Sequence, residues 1–181
     1  MSNLTQVVTA AELERYPGDD FRYELVRGRV IRMSPVAFPH GSMVMRVGYL
    51  LIRHLRDQPT GTVVTEVGFK LASNPDTVRA PDIAFVRMGR TAVLPRGFFD
   101  GPPDMALEVL SPDDRPADVR EKVDEYLACG VELVVVVDPD EHTVVVHRPG
   151  APSTALVRDE SVLNLDPVFP GFSCRLVDIF A

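Results

Sequence analysis

The sequence predicts an α/β or α+β fold: a mixed central β-sheet with helices flanking it. Three observations carry this expectation. Short β-forming segments precede a strand–helix–strand unit at 105–138, the order that layers helices on a sheet. The run "VELVVVVD" (131–138) is almost continuously apolar, as in a central strand covered on both faces. The chain has 16 prolines, which favours turns and edge strands over a helical bundle.

Each element has its own local reason. Residues 9–17 read as a short helix: Thr9 can cap it, Glu12 completes a capping box, and Pro17 follows its end. "YELVRGRVIRMS" (23–34) reads as a β-hairpin turning at Arg27-Gly28. Residues 40–57 are helical, with Met43, Val47, Leu50, Leu51 and Leu55 forming one buried stripe. Residues 62–72 and 77–87 each read as one strand, joined by the turn cluster "SNPD". Residues 90–103 are irregular, and "MALEVLS" (105–111) is a strand. Residues 113–130 form a helix with Asp114 as N-cap, Pro116 in its first turn and Gly130 past its end. Residues 131–138 and 142–149 form an antiparallel hairpin, 153–159 add a further strand, and "LVDIF" packs on last.

A length of 181 residues with 45% hydrophobic side chains suits one domain, 1–181, with a real core. The net charge of −7 speaks against a strongly basic nucleic-acid binder, although a local basic groove can exist on an acidic protein. Cys129 and Cys174 have no metal-knuckle spacing and read as reduced thiols. The N-terminus has no secretory pattern, and the longest apolar run is too short to span a bilayer. The expectation is a cytoplasmic protein without a membrane segment.

The chemistry gathers at three positions. In "RAPDIAFV" (79–86), Asp82 is one acid in an otherwise apolar run, and either caps a turn or is a functional carboxylate mounted on a strand. Glu108 shares a strand face with Ala106 and Leu110, where a buried carboxylate costs several kcal/mol unless a cation or donors compensate. Lys122 borders the Val119–Val123–Leu127 stripe of the following helix. From there its stem can run along the sheet, or it can stay solvated beside Asp118 or Glu125. Two carboxylates from neighbouring strands suit Mg²⁺ or Mn²⁺, and a metal beside an ammonium is equipment for phosphodiester hydrolysis. No serine-hydrolase elbow, phosphate-binding loop or His-Glu-x-x-His helix is present.

"FRYELVRGRVIRMSP", "RAPDIAFV", "ALEVLSP", "EKVDEYLACGVELVVVVDPDEHTVVVHRPG" and "FPGFSCRLVDIF", in that order, resemble the Uma-two-type putative restriction endonucleases of the PD-(D/E)XK nuclease superfamily. The resemblance spans nearly the whole chain. It implies a restriction-endonuclease-like core with an N-terminal β-hairpin, and a metal-dependent endonuclease acting on DNA. It carries Asp82 onto the Asp of the PD motif and Glu108 onto the acid of (D/E)XK. The usual lysine position is Leu110 here, and Lys122 fits the role instead. The Val109 carbonyl is implied as a third metal ligand. Glu24 falls in a family motif and is an additional candidate acid, or else a strand glutamate paired with Arg27. Glu66 could enter the same cleft or sit on a solvated face. His40 could touch a phosphate or act as an exposed cap. A homodimer is expected, with the apolar hairpin 131–147 as a possible interface. The competing class is a non-catalytic nuclease fold used for dimerisation or DNA contact.

Overall fold

The computed structural model describes residues 7–16, 21–91, 95–157 and 159–181. Pro17, expected after the first helix, lies outside them. In chain order the elements are α1 (Ala10–Leu13), β1 (Arg22–Val26), β2 (Arg29–Met33), α2 (Phe38–Asp57), β3 (Gly61–Val64), β4 (Phe69–Ala72), β5 (Thr77–Arg79) and β6 (Ile83–Arg87). They continue with β7 (Phe99–Asp100), β8 (Met105–Val109), α3 (Pro116–Ala128), β9 (Leu133–Asp138), β10 (Thr143–His147), β11 (Thr154–Leu156), β12 (Val162–Asn164), β13 (Ser173–Arg175) and α4 (Leu176–Phe180). A single 3₁₀ turn, Met88–Arg90, follows β6.

The central sheet has the order β11-β10-β9-β8-β6-β3. Its β8–β9 pair is parallel and the other pairs are antiparallel, so it is a mixed sheet. The parallel pair is joined through α3, the crossover that parallel strands need. In β9, Leu133, Val135 and Val137 face one core and Val134 and Val136 face the other, with Leu133 to Val137 all buried. Met43, Val47, Leu50 and Leu51 of α2 pack on the first face, where Phe169, Phe172, Leu176 and Ile179 complete the core. Val123 and Tyr126 of α3 close the second face with Phe69, Ala84 and Ala106. Val131, Leu133 to Val137, Val144 and Val146 are therefore buried inside the chain, Val145 is half-buried, and β11 covers the outer edge of β10.

A second sheet has the order β2-β1-β5-β4-β7. It explains the main departure from the sequence reading: 62–72 and 77–87 are each divided between the two sheets. The chain leaves β3 of the central sheet, turns at Glu66 with φ +58°, and enters β4 of the second. It returns through Ala80-Pro81, since proline cannot donate to a ladder, and resumes as β6 of the central sheet. The hairpin β1–β2 turns at Arg27-Gly28, both at positive φ, as read. Thr9 makes the expected capping box with Glu12. Gly130 takes the expected left-handed position after α3. The N-cap of α3 is Arg115, not Asp114, because Pro116 occupies the first turn; Asp114 instead accepts the Ser111 N–H. The strand pair β12–β13 was not anticipated. The two cysteines are free thiols.

Candidate active site

Register brings the two central carboxylates together. Antiparallel pairing sets Ile83 opposite Leu107 and Ala84 opposite Ala106, so one further step places Asp82 opposite Glu108. Opposed residues on one face hold their Cβ atoms about 5 Å apart. Both acids line a cleft of about 640 Å³ between the second sheet, the start of α2 and α3.

Helix α3 supplies the groups that meet Glu108. Lys122 and Tyr126 are four residues apart, hence on one helix face. Lys122 Nζ stands 2.9 Å from Glu108 Oε2, and the Tyr126 hydroxyl donates to Glu108 Oε1 at 2.8 Å. The Lys122 side chain is only 20% exposed, so it is no loosely solvated border residue. Burial pushes Glu108 up to about 7 from an ordinary 4.5, Lys122 pulls it down, and Asp82 and Glu24 push it up again. Burial works against the Lys122 ammonium, yet Glu108 and Glu24 together hold its pKa above the usual range. Burial and Glu108 also raise Tyr126, keeping the phenol protonated.

Glu24 is buried in this cleft, and its partner is Arg79 rather than Arg27. Arg79 Nη1 donates to Glu24 Oε2 at 2.8 Å, Ala80 N–H donates to Oε1 at 3.0 Å, and Lys122 Nζ lies 3.7 Å from Oε1. Burial alone would raise Glu24, but Lys122 and Arg79 hold it below the usual range. Arg79 also donates through Nε to Glu125 Oε2 at 2.5 Å. One buried guanidinium thus ties the N-terminal hairpin, the PD segment and α3 together. Arg79, Glu125 and Tyr126 were not singled out as site residues from sequence. The available signals were a charged residue ending an apolar strand at Arg79 and the i, i+4 spacing of Lys122 and Tyr126.

His40 corrects another expectation. It is buried rather than an exposed cap, and Ala37 is the helix N-cap. Its Nε2 lies 3.1 Å from Asp82 Oδ2, which also accepts the Val109 N–H at 2.8 Å. The bond to Asp82 raises the His40 pKa against the opposing pull of burial. Its Nδ1 is buried and has no hydrogen-bond partner among the described residues. Glu66 stays outside: it is exposed and pairs with Arg22 at 2.6 Å.

These shifts set a pH dependence. Glu108 binds its proton more tightly folded than unfolded, so the metal-free fold loses stability as pH rises from 4.5 to about 7. The full effect is on the order of 3 kcal/mol. His40, raised by its partner, adds a loss in the same direction as pH climbs through its folded value. Glu24 acts oppositely, its contribution disappearing as pH falls. Thermal melts in chelator across this window should show the Glu108 loss, and Glu108→Gln should flatten it. A wild-type melting temperature that rose steadily from 4.5 to 7 would contradict the assignment.

The Uma-two family model, described as "Putative restriction endonuclease", matches residues 10–177. The chain belongs to this family. A solved relative from Anabaena variabilis, described as a putative nuclease belonging to DUF820, shares the fold at a TM-score of 0.83. It is 21% identical, with 96% of this chain and 97% of that chain covered. No curated protein matches. Among the described residues no helix is long and apolar enough to cross a membrane. The family description supports nuclease activity in general terms, and the solved structure shows the fold.

The donor set bears on which metal could enter. Among the described residues, no three His, Cys, Asp or Glu side chains cluster to hold a cation by themselves. Asp82 and Glu108 are hard oxygen donors on opposed positions, so the remaining ligands would be a backbone carbonyl and water. That demand fits Mg²⁺ or Mn²⁺, which keep several waters, better than a metal caged wholly by side chains.

Proposed function

We propose that this chain is a Mg²⁺- or Mn²⁺-dependent endodeoxyribonuclease, with Asp82 and Glu108 holding the metal and Lys122 assisting the attacking water. The observation that supports it most is the charge balance of the cleft. Around the opposed pair, Glu24 and Glu125 share the Arg79 guanidinium and Glu108 faces the Lys122 ammonium, while the ion-pair partner of Asp82 is His40. The two acids without the arginine are the opposed pair. A divalent cation makes up that deficit and supplies Lewis-acid polarisation of the phosphoryl oxygen. The Val109 carbonyl, whose strand neighbour is Glu108, is the proposed third protein ligand.

The remaining roles fall to this chain's own groups. A cation at Glu108 would compete for the oxygen that Lys122 now holds. Glu24, 3.7 Å from the same ammonium, keeps Lys122 in the cleft when that contact loosens. Lys122 can then orient water and oppose the charge that develops on the phosphoryl group. The Tyr126 hydroxyl fixes the rotamer of Glu108, and His40 with the Val109 N–H fixes that of Asp82. Glu24 is therefore a positioning residue here, not a metal ligand.

Two measurements test this reading. Mg²⁺ or Mn²⁺ should raise the melting temperature of the wild type and leave Asp82→Ala unmoved, because binding to the native state alone stabilises it. Plasmid and single-stranded DNA should be cut by the wild type with metal and not by Asp82→Ala or Glu108→Gln. Absence of cleavage over a broad range of metal and salt, with duplex binding equal in wild type and Glu108→Ala, would instead establish a non-catalytic DNA-contacting module.

A further inference from the structure

Helix α2 has two apolar faces, and the described residues cover only one. The inner stripe Met43, Val47, Leu50 and Leu51 is buried against the central sheet. On the outer face Phe38, Met45, Tyr49 and Ile52 are 89%, 72%, 61% and 51% exposed. A surface helix normally turns charged and polar residues outward there. The outer residues also have a rhythm: positions 38, 42, 45, 49, 52 and 56 alternate steps of four and three, the spacing of a helix–helix seam.

We propose that this outer face binds the same face of a second copy of the chain, with the two α2 helices antiparallel about a two-fold axis. The seam is self-complementary in that arrangement. Met45 meets Tyr49 of the partner subunit, Ser42 meets the partner's Ile52, and Phe38 meets the partner's Arg56. Each pair sets a large side chain against a smaller or flatter one. The last pair places a guanidinium on an aromatic ring. Charge decides the direction. Arg56 is the one charged residue of the seam, and a parallel pairing would set it against its own copy. Antiparallel packing separates the two arginines by the length of the seam and aligns the helix dipoles favourably.

Gly41 supports the same interface independently. A glycine inside a helix costs about 1 kcal/mol relative to alanine. A Cβ at Gly41 would meet nothing within 4 Å, so packing inside this chain gives no reason for it. In the antiparallel register Gly41 faces the partner's Arg53, and the missing side chain leaves room for that long one. The four large outer side chains expose on the order of 500 Å² per copy, given full aromatic areas of about 150–250 Å². Two copies therefore reach the roughly 1,000 Å² that a specific interface requires. Ala37 and His40 line the cleft beside the start of the seam. The pairing consequently brings the partner's Arg56 to the rim of the cleft on an acidic chain.

Sedimentation of the full chain over a range of concentrations tests the pairing. The wild type should be a dimer, and Met45→Glu/Tyr49→Glu should weaken association by at least about 100-fold, as for central interface residues. The far-ultraviolet spectrum should stay unchanged, because both side chains are exposed in one copy, and the melting temperature should fall only by what the lost association contributed. Direction is read by oxidation in a Cys129→Ser background. A mixture of Phe38→Cys and Arg56→Cys chains should cross-link. Either variant alone should not, since identical positions would lie roughly 27 Å apart along the helix. A wild type that stays monomeric overturns the proposal, as does a dimer untouched by the double glutamate variant. Cross-linking of Phe38→Cys with itself overturns the antiparallel direction.

Discussion

Lys122→Met should slow single-turnover DNA cleavage by about 10²-fold or more at saturating metal, the scale of one lost electrostatic stabiliser in a dry site. The residue at 110 cannot take over, because Leu110 has no charge. Leu110 nevertheless lines the same cleft, two residues after Glu108 and just past the end of β8. Leu110→Lys in the Lys122→Met background should therefore restore part of the rate. The stability effect differs from that of an exposed lysine. Removing the ammonium leaves Glu108 and Glu24 facing each other, and Glu108, already raised to about 7, can take up a proton instead. The variant should melt nearer the wild type below that pH than above it. A Lys122→Met enzyme as fast as wild type would sink the catalytic role, and a rate lost without rescue would leave only a structural one.

Arg79→Leu should lower stability by about 3–5 kcal/mol, because breaking a buried ion pair strands the partner charge. Two carboxylates depend on this guanidinium. Glu24 retains the Ala80 N–H and the longer contact to Lys122, whereas Glu125 loses its 2.5 Å partner. Urea unfolding at neutral pH should show the midpoint falling with little change in slope. Adding Glu24→Gln should recover part of the loss, since it removes the stranded charge rather than another bond. If the two substitutions proved simply additive, the clamp would not be a coupled unit.

The layered fold and the meeting of Asp82, Glu108 and Lys122 in one cleft were legible in the sequence because each left a local mark. The apolar run of β9, the capping box at Thr9 and the glycine after α3 are signals carried by neighbours in sequence. Glu108 was readable because strand alternation places it among apolar residues. The division of 62–72 between two sheets was not readable, since it depends on Glu66 adopting φ +58°, which glutamate gives no reason to expect. His40 was within reach: it precedes Met43 by three residues and extends the same inner stripe, but the stripe was started one turn late. Arg79 was missed for a different reason. Its partners lie 55 and 46 residues away, and no local pattern reports a pairing at that distance.

That same clamp has a consequence for synthesis. Glu24 is made first, Arg79 next, and Lys122 and Glu125 last. A nascent chain that has not yet released α3 carries Asp82 and Glu108 without the ammonium, and its hairpin has only one of the two sides of the clamp to close against. Contacts this far apart in sequence form late because the intervening loop must be ordered first. The cleft is thus completed only once α3 has emerged, so a product stalled or truncated between β8 and α3 would hold the opposed acids but not the assembled site.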